Sequence, residues 1–157
     1  MKLDSLLTTL KKAGHRITPQ RRTICGYLAT TDQHPTPSQV YTSVVAAHPE
    51  VSRATVYNTL NALQRLGAIV EINVGSDHTH YDTNPAPHVN LICLHCHTII
   101  DAPGALPAFD WQAWTDAANG FQPVTAHVDI LGFCQTCQAH PPSAPEAFPV
   151  AVCPSQE

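Results

Sequence analysis

Cys93-Leu94-His95-Cys96 and Cys134-Gln135-Thr136-Cys137 are two C-x-x-C knuckles that together hold four of the chain's six cysteines. In such a turn both sulfurs can face one ion, and two turns supply the four thiolates that Zn2+ takes in a closed tetrahedral structural site. A four-cysteine zinc site of Cys93, Cys96, Cys134 and Cys137 is the reading this pattern favours. Two disulfides, a thioredoxin-like redox pair and unconnected buried cysteines compete with it, but a duplicated C-x-x-C is hard to reach by accident. A disulfide framework would also want an exported chain, and residues 1–10 have neither a long apolar core nor a small-residue cleavage site. The expected compartment is the reducing cytoplasm. The usual spacer in small zinc fingers is roughly 12 to 20 residues. Here 37 residues separate Cys96 from Cys134, so the metal is expected to staple two distant parts of one domain.

A chain of 157 residues suffices for one ordinary domain or two small ones, and its 43% hydrophobic content suits a folded protein. No apolar run approaches the roughly 18 residues needed to cross a bilayer, so no membrane association is expected. The formal net charge of −4 conceals a segregation. All eight basic residues (Lys2, Lys11, Lys12, Arg16, Arg21, Arg22, Arg53 and Arg65) lie within residues 1–65, against only Asp4, Asp32 and Glu50, a net +5. The remainder carries −9 and seven of the ten histidines. One half is built for polyanions, the other for cations.

Leu3, Leu6, Leu7 and Leu10 recur at helical spacing over residues 2–13, with Gly14 where a C-terminal cap belongs. Thr18-Pro19 opens a second helix to about Thr30, Thr36-Pro37 a third to about Ala47, and Ser52 caps a fourth that stops near Leu66-Gly67. In the fourth helix Val56, Leu60, Leu63 and Leu66 form the expected buried stripe. Ala54, Asn58, Asn61 and Arg65 point away, flanked by Thr55 and Tyr57. A helix face with small, amide and basic residues and no acid suits major-groove reading, where Asn recognises adenine and Arg guanine. Taken alone it is as readily a solvated face; the basic charge and the three preceding helices favour recognition.

Residues 68–74 and 79–83 alternate around Gly75-Ser76-Asp77 as a two-stranded wing, completing a winged helix-turn-helix over residues 1–83. Asn84-Pro85-Ala86-Pro87 marks a linker. Residues 88–139 form a small α/β unit: strands over 88–93, 98–102 and 123–133, and a short helix over 109–119 containing Trp111 and Trp114. The class is therefore α+β. So small a unit has little core, which gives a zinc staple its purpose. Residues 140–157, Pro- and Ala-rich with Cys153, are expected to be a disordered tail.

The chain resembles the ferric uptake regulator family, most of all its peroxide-responsive repressors. The matching pieces are Ala13-Gly14-His15-Arg16-Ile17-Thr18-Pro19-Gln20-Arg21, Ser52-Arg53-Ala54-Thr55-Val56-Tyr57-Asn58-Thr59-Leu60, His88-Val89-Asn90-Leu91-Ile92-Cys93-Leu94-His95-Cys96 and Gly132-Phe133-Cys134-Gln135-Thr136-Cys137. The resemblance implies a homodimeric, metal-activated repressor of operator DNA whose C-terminal domain dimerises. It also implies a regulatory Fe2+ or Mn2+ site at the hinge, with ligands falling on His34, Asp82, His88, Asn90 and Asp101. Asn90 departs from the pattern, which has histidine there. An amide oxygen still ligates a hard cation but is a weaker donor than imidazole for iron or zinc. Taken singly, His34 is better read as a loop or capping residue, and Asp82 and Asp101 as solvated strand ends. His78, His80 and His127 are candidates for an auxiliary site.

Expected DNA contacts are Tyr57, Asn58 and Arg65 at base edges, and Ser52, Arg53, Thr55, Arg16 and Arg21 nearer phosphates. Lys12 reaches the minor groove if the resemblance holds. Iron or manganese sensing without peroxide chemistry is the alternative function, and zinc sensing is disfavoured because the hinge set lacks cysteine. A thiol oxidoreductase or zinc hydrolase is the alternative class. The first needs a low-pKa cysteine at a helix start, whereas both knuckles read as strand ends; the second needs an open coordination position that four thiolates deny. No enzymatic activity is expected.

Overall fold

In the computed structural model the described residues are 2–74, 78–84, 86–103, 115, 118–122 and 127–139. Four helices come first: α1 (Lys2–Lys12), α2 (Pro19–Thr30), α3 (Pro37–Ala47) and α4 (Arg53–Arg65). Their starts follow from local chemistry. Thr18 Oγ1 accepts from the Arg21 amide at 3.2 Å, and Ser52 Oγ from the Thr55 amide at 3.1 Å, each satisfying a donor the helix cannot use itself. At α3 a full capping box forms: Thr36 Oγ1 accepts from the Gln39 amide at 3.2 Å, while Gln39 Oε1 accepts from the Thr36 amide at 2.8 Å. Gly14 and Gly67, at φ 82° and 65°, supply the left-handed residues that end α1 and α4.

Leu6, Leu7 and Leu10 of α1 pack with Ile24, Cys25 and Leu28 of α2, Val40 and Val44 of α3, and Val56, Leu60 and Leu63 of α4. Each such side chain contributes about 1.5–3 kcal/mol by leaving water. Leu66 corrects the expected stripe. It is exposed because it is the C-cap, already out of helical register, and Thr59 and Ala62 are buried on the inner face instead. The buried Thr59 hydroxyl is satisfied by donating to the Thr55 carbonyl at 2.7 Å.

β1 (Val70–Val74) and β2 (His78–Asp82) form the wing in antiparallel register, Val70 opposite Asp82 and Val74 opposite His78. Its tip, residues 75–77, lies outside the described residues. The wing serves two cores. Tyr81 joins the helical core, whereas Ile72 and Val74 pack with Ile92 and Ile99 of the second sheet.

That sheet has the order β4–β3–β5, from β3 (Val89–Cys93), β4 (Ile99–Asp101) and β5 (Val128–Gly132), with β3 antiparallel to β4 and parallel to β5. A short helix, α5 (Gln135–Ala139), follows Cys134. The second knuckle thus follows the end of β5, as expected, and also opens a short helix that was not expected. The helix expected over 109–119 with its tryptophans falls almost wholly outside the described residues, as does the tail.

Replacing Thr36 by Ala removes one half of the capping box. The expected cost is about 1 kcal/mol of unfolding free energy, read as a lower urea midpoint at unchanged slope.

Candidate metal centres and nucleic-acid interface

The four knuckle sulfurs lie within 4.8 Å of one another. Cys93 ends β3; its amide donates to the Thr98 carbonyl at 2.9 Å and its carbonyl accepts from the His97 amide at 3.0 Å, which folds the chain back tightly. His97 completes the turn in the left-handed region at φ 58°. The Leu94 amide donates to the Gly132 carbonyl at 2.8 Å, tying this knuckle to the end of β5, where the second begins. Cys96 Sγ and Cys134 Sγ are 3.8 Å apart, the edge of about 3.8 Å that a tetrahedron with Zn–S bonds near 2.3 Å requires.

All five described cysteines are free thiols. Burial opposes ionisation of Cys93, but backbone donors from Cys134, Cys96 and His95 outweigh it and bring its pKa down to about 6. Thr98 lowers that of Cys96, while burial and the neighbouring cysteines push Cys137 up. The helix start at Cys134 removes one objection to a redox enzyme; convergence of four sulfurs on one point still fits structural zinc better.

His34, Asp82 and His88 form the second convergent group among the described residues. His34 sits in the loop between α2 and α3, which β2 holds down. The Tyr81 amide donates to the Pro35 carbonyl at 3.0 Å, and His80 Nδ1 donates to the His34 carbonyl at 2.7 Å. The His34 ring, 8% exposed, brings Nε2 to 3.0 Å from Asp101 Oδ1 and 3.9 Å from Asp82 Oδ1. Neither ring nitrogen makes a hydrogen bond.

Asp82, 2% exposed, accepts the Asn84 amide at Oδ1 (2.7 Å), while its buried Oδ2 has no hydrogen-bond partner although His88 Nε2 is 3.0 Å away. His88 Nδ1 faces the Ala86 carbonyl at 2.7 Å. A carbonyl only accepts, so Nδ1 carries the proton and Nε2 is left for another partner. Around Nε2 stand Asp82 Oδ2, Asn90 Oδ1 at 3.1 Å and Asp101 Oδ1 at 3.6 Å. Burial depresses the His88 pKa, but the Ala86 carbonyl, the charges of Asp82 and Asp101, and Asn90 together raise it.

Close N–O approaches thus converge on one point, several of them from buried atoms without hydrogen-bond partners, a donor set of the kind that can hold a divalent cation. The pocket thus unites all five expected ligands: His34, Asp82, His88 and Asp101 directly, and Asn90 through its oxygen. A cavity of about 330 Å3 opens beside them, lined also by Lys2, whose ammonium donates to Thr83 Oγ1 at 2.6 Å. The auxiliary histidines do not join a convergent group among the described residues: His80 is engaged as above and His127 is exposed. The His78 side chain lies outside the description. Lys2, the Ala86 carbonyl and Asp129, which accepts from Asn90 Nδ2 at 3.1 Å, escaped the sequence analysis because none belongs to a ligand-like pattern.

In the helical unit, Ser52, Arg53, Ala54, Tyr57, Asn58, Asn61 and Arg65 are all exposed at the start and along the length of α4. Tyr57 leaves 43% of its surface in water, unusual for a ring beside a helical core. Arg53 stacks its guanidinium on the Tyr41 ring at 4.4 Å, which braces it at the α4 N-terminus. Thr18, Gln20 and Arg21 line a groove with Thr55 and Asn58, so the starts of α2 and α4 face one trough. Arg21 Nη1 donates to the Arg16 carbonyl at 2.8 Å. Arg16 and Lys12 are exposed.

The sequence profile of the ferric uptake regulator family matches residues 12–130. The peroxide-responsive repressor PerR of Staphylococcus aureus is 32% identical over 142 residues, covering 87% of this chain and 91% of that protein. PerR of Staphylococcus epidermidis is 31% identical over 137 residues, covering 87% and 90%. Among solved structures, the Helicobacter pylori ferric uptake regulator superposes with TM-score 0.67 at 23% identity, over 87% of this chain and 93% of that one. A zinc-bound manganese uptake regulator superposes at 0.59 with 25% identity, over 85% and 99%. With its winged helices, four-cysteine cluster and His/Asp pocket, the chain belongs to the ferric uptake regulator family.

Proposed function

We propose that the protein is a cytoplasmic, homodimeric transcriptional repressor whose operator affinity is set by a divalent ion, Fe2+ or Mn2+, in the His34–Asp82–His88–Asn90–Asp101 pocket. The observation that carries this reading is the buried Asp82 carboxylate, whose Oδ2 lacks a hydrogen-bond partner and faces an imidazole nitrogen at 3.0 Å. A cation there answers that charge. Its ligands come from the α2–α3 loop, the wing and the sheet beyond residues 84–87, so occupancy ties the winged-helix unit (1–83) to the unit that follows (88–139). In a dimer this fixes the separation of the two α4 helices against successive major grooves. The second unit supports the homodimer through an apolar sheet face on which Ile100 and Ile130 are about half exposed.

In the peroxide-sensing form of the proposal, His34, Asp82, His88, Asn90 and Asp101 would hold Fe2+, which would supply reducing equivalents for cleavage of the O–O bond of hydrogen peroxide. His34 and His88 are the imidazoles beside that chemistry. Asn90 favours a second reading, reversible iron or manganese sensing without peroxide chemistry, because an amide oxygen is a poorer iron ligand than imidazole.

Three outcomes are expected. With an operator selected from random duplexes in the presence of Mn2+, Asp82→Asn should lose at least about tenfold in Mn2+-dependent affinity while keeping its structural zinc; operator binding that survives emptying of the pocket alone would overturn the metal-switch account. Mass spectrometry of anaerobically Fe2+-loaded protein after peroxide should find one added oxygen on a peptide containing His34 or His88. Its absence, with metal-dependent DNA binding intact, selects the second reading. Asn58→Ala should cost about 1–3 kcal/mol of operator discrimination with little change in binding to unrelated duplexes.

A further inference from the structure

Asn90 is a neutral side chain, 3% exposed, at the centre of three strands. Its Cα pairs with Asp101 on β4 and with Asp129 on β5, so all three side chains leave the same face of the sheet. An amide offers one ligating atom, its oxygen, and half a turn about the last bond replaces that atom with an NH2 group.

The surroundings of Asn90 decide between the two orientations. Nδ2 donates to Asp129 Oδ1 at 3.1 Å, and a carboxylate only accepts. Flipping the amide would set oxygen against oxygen at Asp129. Oδ1 accordingly points the other way, to 3.1 Å from His88 Nε2, where it accepts a hydrogen bond when the ring carries both protons and is free to meet a cation when it does not. We infer that Asp129 is a positioning residue: it holds the Asn90 oxygen toward the pocket and so raises the affinity of the centre for Mn2+ relative to Zn2+. This rests on the metal-centre reading above.

The donor set is then three oxygens (Asp82, Asp101, Asn90) and two imidazole nitrogens (His34, His88). Oxygen donors suit the harder Mn2+, which takes more ligands, whereas Zn2+ is satisfied by four and prefers nitrogen or sulfur. The other four side chains already make a sufficient set for Zn2+. The amide oxygen therefore matters most to the ion that uses a fifth ligand. Asp129 is exposed and hydrogen-bonds Asn90 without belonging to the convergent His/Asp group among the described residues, so its effect can be separated from the ligands themselves.

The test is competition titration of Mn2+ and of Zn2+ against a chelating dye, on full-length protein with its four-cysteine zinc retained. The parent, Asp129→Ala, Asn90→Ala, the double variant and Asp129→Asn are compared. Asp129→Ala should weaken Mn2+ binding by about ten- to a hundredfold, the usual effect of losing a ligand's support. Zn2+ binding should change far less. Asn90→Ala should show the same drop in the Mn2+/Zn2+ ratio, the double variant no more than either single one, and Asp129→Asn, which keeps an acceptor oxygen, the parent's ratio. An unchanged ratio in Asp129→Ala, or losses that add in the double variant, overturns the inference while leaving the metal centre standing. A parent that binds neither ion outside the cysteine cluster overturns both.

Discussion

A carboxylate buried without a full complement of donors is the constraint on which the arrangement of the two halves turns. Ionised Asp82 costs several kcal/mol to withdraw from water, and one amide donor at Oδ1 does not offset that. The fold answers with imidazoles, His34 from one side and His88 from the other. It also brings a second carboxylate, Asp101, to the same point, which worsens the repulsion unless positive charge is supplied. Under the proposed function a cation would answer both carboxylates, and the segments that carry the ligands would gain by closing only when the ion is present.

The wing is the mechanical element that such a switch can use. It follows α4 after the Gly67 stop, contributes Tyr81 to the helical core and contributes Ile72 and Val74 to the cluster with Ile92 and Ile99. It also holds the His34 loop through two hydrogen bonds and carries Asp82 itself. A change at the pocket is therefore felt first by a two-stranded ribbon packed on both sides. The charge segregation suits the proposed plan, with all the basic residues in 1–65 and the excess of acid in the part that follows.

Much of this was legible in the residues because the signals are local. Thr18-Pro19, Thr36-Pro37 and Ser52 announce helix starts through side chains that bond two or three residues away, and each cap is present. The cysteine knuckles are legible for the same reason, each pair being one turn. The pocket is different. His34 and Asp82 are far apart in sequence, and each alone looks like an ordinary loop or strand-end residue; only the resemblance named them together. Leu66 was misread because helical periodicity does not know where a cap ends the helix. The short helix that the second knuckle opens was not foreseen because five helical residues leave no periodic trace. Asp129 was invisible, since its role depends on a parallel pairing that no local pattern encodes.

That pairing also links the two metal centres. β3 carries Asn90 and Cys93 three residues apart, about 10 Å along a strand. At the Cys93 end, the knuckles and the bond from the Leu94 amide to the Gly132 carbonyl lock β3 to β5. At the Asn90 end the same register sets Asp129 beside the amide and Asp101 across from it. A slip of one residue between β3 and β5 would turn Asp129 to the far face and release the amide. If Asn90 serves the proposed metal centre, the four-cysteine cluster does more than hold a small unit together: by fixing one end of the ladder it would fix which atom of Asn90 faces the pocket at the other, and the ion preference of the second site would be built on the rigidity of the first.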